Sequence, residues 1–124
     1  MFTGCKSQPN EEVYISDFYN IHEEYKDAWG NVGKYDISLP YIHCDSKSAK
    51  KLNKTIKNEY KDLVDSLDEA KEEGYTLPYT KVSYDVYTHS NLLSLVIKEE
   101  VETEYPRYKV YHFDSKTKKR VSNK

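Results

Sequence analysis

Ala49, Leu52, Ile56, Tyr60, Leu63, Leu67 and Ala70 recur at steps of 3, 4, 4, 3, 4 and 3. That spacing stacks side chains on one face of an α-helix and would scatter them over both faces of a strand. Val64 widens the stripe. The pattern predicts one long helix over about residues 46–73, with Asp45 or Ser46 as its cap, Gly74 in the left-handed position after its last turn, and Pro78 preventing its resumption. At 1.5 Å per residue such a helix is about 40 Å long. It must therefore lie across a sheet or project from one.

The charges on this stretch are segregated. Lys47, Lys50, Lys51, Lys54, Lys57 and Lys61 occupy its first half, and Asp62, Asp65, Asp68, Glu69, Glu72 and Glu73 its second. In a single helix this order opposes the macrodipole and sets like charges beside each other, at a cost of a few tenths of a kcal/mol for each pair. Local stability does not explain the arrangement. The lysine half suits an anionic envelope surface or an acidic partner, with Lys50, Lys54 and Lys57 as its candidate binding residues; a plain solvated face is the alternative.

Strands flank the stripe. Tyr19–Asp27 and Gly33–His43 read as a hairpin whose turn draws positive-φ glycines from Gly30 and Gly33. Tyr35, Ile37, Leu39 and Tyr41 share one face by the period of two, and Pro40, which has no N–H, argues for an edge strand or a bulge. Downstream, Tyr79–Thr88 alternates, with Val82, Tyr84 and Val86 on one face. His89-Ser90-Asn91 is a tight connection into Leu92–Val101, where Leu93, Leu95, Ile97 and Val101 share a face. Tyr108–Phe113 and a short strand near Arg120–Ser122 complete the order β-β-α-β-β-β. The expected class is α+β: a mostly antiparallel sheet with the long helix on one face.

At 124 residues, with 13 tyrosines, the chain has enough potential core for one domain over residues 13–124. The formal charge of −2 provides no global basic field, which argues against nucleic acid as a partner. No run approaches the about 18 apolar residues of a spanning helix. Any membrane link is then covalent or peripheral. Phe2-Thr3-Gly4-Cys5 resembles the end of a bacterial lipobox, in which small residues precede a cysteine that takes a diacylglyceryl thioether, and residues 6–12 read as a polar tether. Lipidation at Cys5 would place the domain on the extracytoplasmic face of a bacterial cell membrane. It would also leave Cys44 unpaired, as a buried, inert thiol.

Four segments follow this element order: Tyr35-Asp36-Ile37-Ser38-Leu39-Pro40-Tyr41-Ile42, Lys51-Leu52-Asn53-Lys54-Thr55-Ile56, Leu92-Leu93-Ser94-Leu95 and Tyr111-His112-Phe113-Asp114-Ser115-Lys116-Thr117-Lys118-Lys119. Together they resemble the PdaC-like domain, an extracytoplasmic module of some peptidoglycan deacetylases and of lysozyme-responsive anti-sigma factors. The resemblance covers about residues 33–122. It implies a non-catalytic envelope domain that binds a protein or cell-wall glycan, including an envelope-directed hydrolase such as lysozyme. In the family's terminal turn a glycine usually follows the threonine, where this chain has Lys118, so a positive φ there would be strained. Relatives continue into a second or catalytic domain, and the alternative reading is an accessory piece of a larger envelope enzyme or sensor.

Deacetylase chemistry does not carry over, because the chain has no His-x-x-x-His and no Asp-Asp pair. His43 and Cys44 are adjacent and point to opposite sides of a strand, which separates a nucleophile from its base. His22-Glu23-Glu24 reads more simply as a solvated strand end than as a metal site. No metal, cofactor or catalytic residue is expected. Tyr35, Tyr41, Tyr60 and Tyr84 are expected in the core, and Tyr79, Tyr87, Tyr105 and Tyr108 as an exposed binding platform near strand ends.

Overall fold

The computed structural model describes residues 13–102 and 104–121. The order is β1 (Tyr14–Lys26), β2 (Val32–His43), α1 (Lys47–Glu59), α2 (Lys61–Glu73), β3 (Thr80–His89), β4 (Leu92–Val101), β5 (Arg107–Asp114) and β6 (Lys119–Val121). The six strands form one sheet in sequence order. Every neighbouring pair is antiparallel except β2–β3, which is parallel because both helices intervene. Leu52, Ile56 and Leu67 of the helices pack with Ile37, Leu39, Leu95, Ile97 and Phe113 of the sheet in one core. The expected α+β class and mostly antiparallel sheet hold.

The single long helix is corrected to two. At Tyr60 the backbone turns to φ −108° and ψ 5°; its N–H donates to the Lys57 carbonyl at 3.3 Å, and its own carbonyl accepts from Val64 at 3.1 Å to begin α2. The stripe continues in phase through this joint. No glycine or proline marks it, so spacing alone gave no warning. At the joint the Tyr60 hydroxyl donates to Glu99 at 2.6 Å, and the Lys109 ammonium lies 4.8 Å above its ring, bridging Glu59 at 3.2 Å and Glu99 at 3.3 Å. Burial, and then the Glu99 carboxylate, push the Tyr60 phenol far up. Splitting the helix also recasts the charge order. Lys57 now lies in the last turn of α1 and Asp62 in the first turn of α2, where two shorter dipoles favour both.

Ser46, one of the two expected caps, accepts the Ala49 N–H at 3.1 Å. Gly74 takes φ 82° after α2, and Gly30 takes φ 89° in the β1–β2 turn. Gly33 is corrected: its φ is not positive, and it is needed because a Cβ there would sit 2.5 Å from the Tyr35 hydroxyl oxygen. Pro40 does not mark an edge. β2 is interior, and the irregularity falls opposite Pro40 in β1, where Asp17 pairs with Pro40 and Tyr19 with Leu39, leaving Phe18 as the extra residue. Beyond Leu39 the alternation resets, so Ile42 is buried and Tyr41 turns away from the core.

β2 and β3 pair over only three positions, Tyr35–Thr80 to Ile37–Val82, and are not paired to each other beyond them. This explains why Tyr84 is half-buried and Val86 exposed although both alternate with buried Val82. The Tyr84 hydroxyl instead donates to Asp17 of β1 at 2.5 Å. At the other end, α2 is strapped to β1 by Lys71–Glu23 at 2.5 Å and by the Tyr25 hydroxyl on the Lys71 carbonyl at 3.2 Å.

The β1–β2 turn is organised by Asp27, whose carboxylate accepts the Trp29 and Asn31 N–H groups at 2.9 Å each and the Thr76 hydroxyl at 3.3 Å. Burial would raise this carboxyl, but the hydrogen bonds outweigh it and hold it below the usual range. Because the folded-state value is the lower one, the stabilisation is complete above the unfolded value of about 3.9 and is lost as pH falls through the folded value. Asp27→Asn is therefore expected to lower the urea midpoint at neutral pH and to converge on the parent protein at the acid end, which a series of urea melts across acid pH checks.

Candidate functional site

The bulge and the reset at Pro40 put four rings in a row. Phe18 stacks on Tyr41 with centroids 5.9 Å apart, Tyr41 meets His43 edge-on at 5.0 Å, and His43 stacks on Tyr14 at 4.3 Å. The Ser16 hydroxyl and His43 Nε2 lie 2.6 Å apart, which fixes the imidazole. The first helix forms the opposite wall with Lys50, Lys54 and Lys57, and Lys61 continues it at the start of α2. Between the walls runs a groove of about 470 Å³ lined by Phe18, Tyr41, Asn53 and these lysines. It continues past Phe18 toward Val64 and past Tyr41 toward His43 and Cys44.

Asn53 sets the groove's floor. Its side-chain amide donates to the Ile42 carbonyl at 2.9 Å and its carbonyl oxygen accepts the Ile42 N–H at 2.8 Å. One side chain thus does for the end of β2 what a neighbouring strand does elsewhere. With β2 clasped to α1, Tyr41 is held beside the lysines.

The cations differ in how they are engaged. Lys50 pairs with Asp45 at 3.2 Å and Lys61 with Asp65 at 2.7 Å. Among the described residues no carboxylate lies within 4.0 Å of Lys54 or Lys57; Lys57 instead lies 5.6 Å from the Phe18 ring centroid. A row of ammonium groups facing an aromatic wall offers charge to an anion and a flat apolar surface to a sugar or other ring.

The structure brings Lys50, Lys54 and Lys57 together as one wall. It does not gather the four tyrosines into one platform. Tyr105, at 92 % exposure, and Tyr108, at 60 %, lie near the start of β5. Tyr79 is near them at the start of β3, but it is half-buried, its hydroxyl donating to Asp36 at 3.2 Å and its ring lying 5.7 Å from the Lys34 ammonium. Tyr87 is at the far end of β3, paired with Ser94. Of the tyrosines expected in the core, Tyr35 and Tyr60 are buried there, whereas Tyr41 belongs to the groove. Cys44 is half-buried rather than buried, with its thiol 3.7 Å from the Ser46 hydroxyl. Cys5 lies outside the described residues.

His22 and Glu23 diverge, as neighbours on a strand should. His22 Nδ1 lies 3.0 Å from Asp36, and Glu23 turns to Lys71. The hydrogen bond from His22 holds the Asp36 carboxyl below the usual range, with Tyr79 contributing against burial. Among the described residues no group of three His, Cys, Asp or Glu side chains is placed to hold a metal ion, and no helix is long and apolar enough to cross a membrane. Sequence reasoning missed Phe18, Asn53 and Glu99. Pro40 was the available signal for Phe18, and an acidic residue in phase with Leu95 and Ile97 was the signal for Glu99.

Asn53→Leu preserves the approximate volume and leaves the Ile42 N–H and carbonyl without this partner. A loss of about 1–3 kcal/mol is expected in chemical denaturation, with faster amide exchange at Ile42 than in the parent protein.

No family model matches this chain and no curated protein matches it.

Proposed function

We propose that this chain is a non-catalytic binding domain of the bacterial cell envelope, and that the groove between α1 and the β1–β2 edge takes an anionic cell-wall glycan. The observation that carries this reading is the face-to-face placement of Lys50, Lys54, Lys57 and Lys61 with Phe18 and Tyr41. Successive lysines three or four residues apart repeat about every 5–6 Å along the helix surface. A chain of sugars or polyols bearing phosphate or carboxylate groups can meet that row with its charges while its rings lie on the aromatic faces. Lysine serves as a point charge for phosphate without demanding one fixed bidentate geometry, which suits a repetitive, flexible polymer.

The compartment in this reading comes from Cys5 as a lipidation site, which would anchor the domain to the outer face of the membrane. The PdaC-like resemblance supports the same setting. It shares Tyr41, Asn53 and Lys54 with the groove, since these residues fall within two of the segments that carry it.

Co-sedimentation of the full chain with Gram-positive cell walls tests the reading. Walls that retain their phosphate-containing polymers are expected to pull the protein down, and walls stripped of them by hydrofluoric acid are expected to bind at least about tenfold less. Tyr41→Ala and Lys54→Glu/Lys57→Glu should each weaken binding by about fivefold or more, the equivalent of about 1 kcal/mol. Equal binding to both wall preparations, or variants that bind like the parent protein, would overturn the assignment.

A further inference from the structure

The groove uses one side of α1; another set of cations gathers at the end of the molecule. β1 begins where β2 finishes, with Tyr14 paired to His43, and α1 starts four residues later at Lys47. The β5–β6 turn is fastened to the same place. The Ser46 hydroxyl donates to the Lys118 carbonyl at 2.9 Å, and the Arg120 N–H donates to Ser48 Oγ at 2.6 Å. These contacts bring Lys116, Lys118, Lys119 and Arg120 up to the first turns of α1, whose solvent side carries Lys47 and Lys51.

Two carboxylates at this end are already engaged. Asp45 pairs with Lys50, and Asp114 accepts the Lys116 and Thr117 N–H groups at 2.8 and 3.1 Å. Lys118 holds φ 60°, a left-handed conformation that glycine or asparagine adopts with less strain. A cation is thus kept where the backbone alone favours another residue. The opposite end is acidic: α2 finishes in Glu69, Glu72 and Glu73, with Lys71 tied to Glu23 of β1 and Thr76, just after the helix, tied to Asp27 of the β1–β2 turn. A chain with a formal charge of only −2 therefore carries a strong polarity from end to end.

We infer that the basic end, formed by the first turns of α1 and the β5–β6 turn, is a docking surface for an anionic lipid membrane. Charge complementarity selects this occupant. Six cations on two adjoining elements present a broad basic surface rather than a closed pocket, and clusters of this size are drawn to anionic headgroups within about a Debye length. The first strand also begins here, at Tyr14. The eight residues between Cys5 and Tyr14 span at most about 30 Å, so a lipid on Cys5 would hold this end, and not the acidic one, toward the bilayer. The docking surface does not depend on that lipid or on the groove.

The test uses the full chain carrying Cys5→Ser, so that no acyl group contributes. Sedimentation is measured with phosphatidylcholine vesicles with and without phosphatidylglycerol. The protein is expected to bind only the phosphatidylglycerol vesicles and to be released at about 1 M salt, where the Debye length is about 3 Å. Lys47→Glu/Lys51→Glu/Lys119→Glu should reduce partitioning by at least about tenfold. Lys26→Glu/Lys34→Glu/Lys81→Glu, the same charge change away from this end, should retain it. If the first variant does not fold, as judged by circular dichroism, the corresponding three Lys→Gln changes are read in the same way. Equal binding to both vesicle types, equal losses in the two variants, or retention on heparin without vesicle binding would each overturn the proposal.

Discussion

The two hydrogen bonds between Asn53 and the Ile42 backbone hold together the part of the fold that its strand pairing leaves open. β2 and β3 pair over three residues and are not paired to each other beyond them. Past that point the end of β2 needs another partner for its N–H and carbonyl groups, since unpaired buried polar groups are costly. Asn53 supplies both hydrogen bonds from the helix. The strand end is thereby fixed to α1, Tyr41 is turned out beside the lysines, and the Phe18 bulge completes the aromatic wall. The groove follows from how the sheet is joined.

Charge segregation acquires its meaning at the level of the whole molecule. Along the sequence, a first half with six lysines and one carboxylate, Glu59, and a second half with six carboxylates and one lysine, Lys71, look like a poorly ordered helix. Dividing that helix at Tyr60 reconciles the charges near the joint with two separate dipoles, while Lys47 and Lys50 at one end and Glu72 and Glu73 at the other still oppose them. The β5–β6 turn adds cations to the lysine end, and the straps from α2 to β1 keep the carboxylate end apart. The resulting polarity is a property of the assembled fold and orients it in any electric field it meets.

Much of the fold was legible because it rests on periodicity and turn chemistry. The helical stripe, the Gly74 stop, the Ser46 cap and the tight Ser90-Asn91 turn are local signals, and each falls where it was read. The break at Tyr60 was not legible. The groups that hold Tyr60 at the joint, Glu99 and Lys109, are distant in sequence and brought there only by the sheet. The candidate site was half legible. Lys50, Lys54 and Lys57 follow from helical spacing, but their aromatic counterparts arise from a bulge in β1 and a phase reset in β2, and Tyr41 faces away from the core because the period of two does not run unbroken through Pro40. The proposed tyrosine platform failed to gather because residues near strand ends can lie at opposite ends of a sheet, as Tyr87 and Tyr105 do.

The most direct test of the central claim is amide chemical-shift mapping of the full chain titrated with a soluble, phosphate-containing cell-wall polymer. The account predicts saturable shifts concentrated at Phe18, Tyr41, Asn53, Lys54 and Lys57, with little change on β4 and β5, the strands away from the groove. Shifts centred on Tyr105 and Tyr108, or no saturable shifts in the groove, would contradict it.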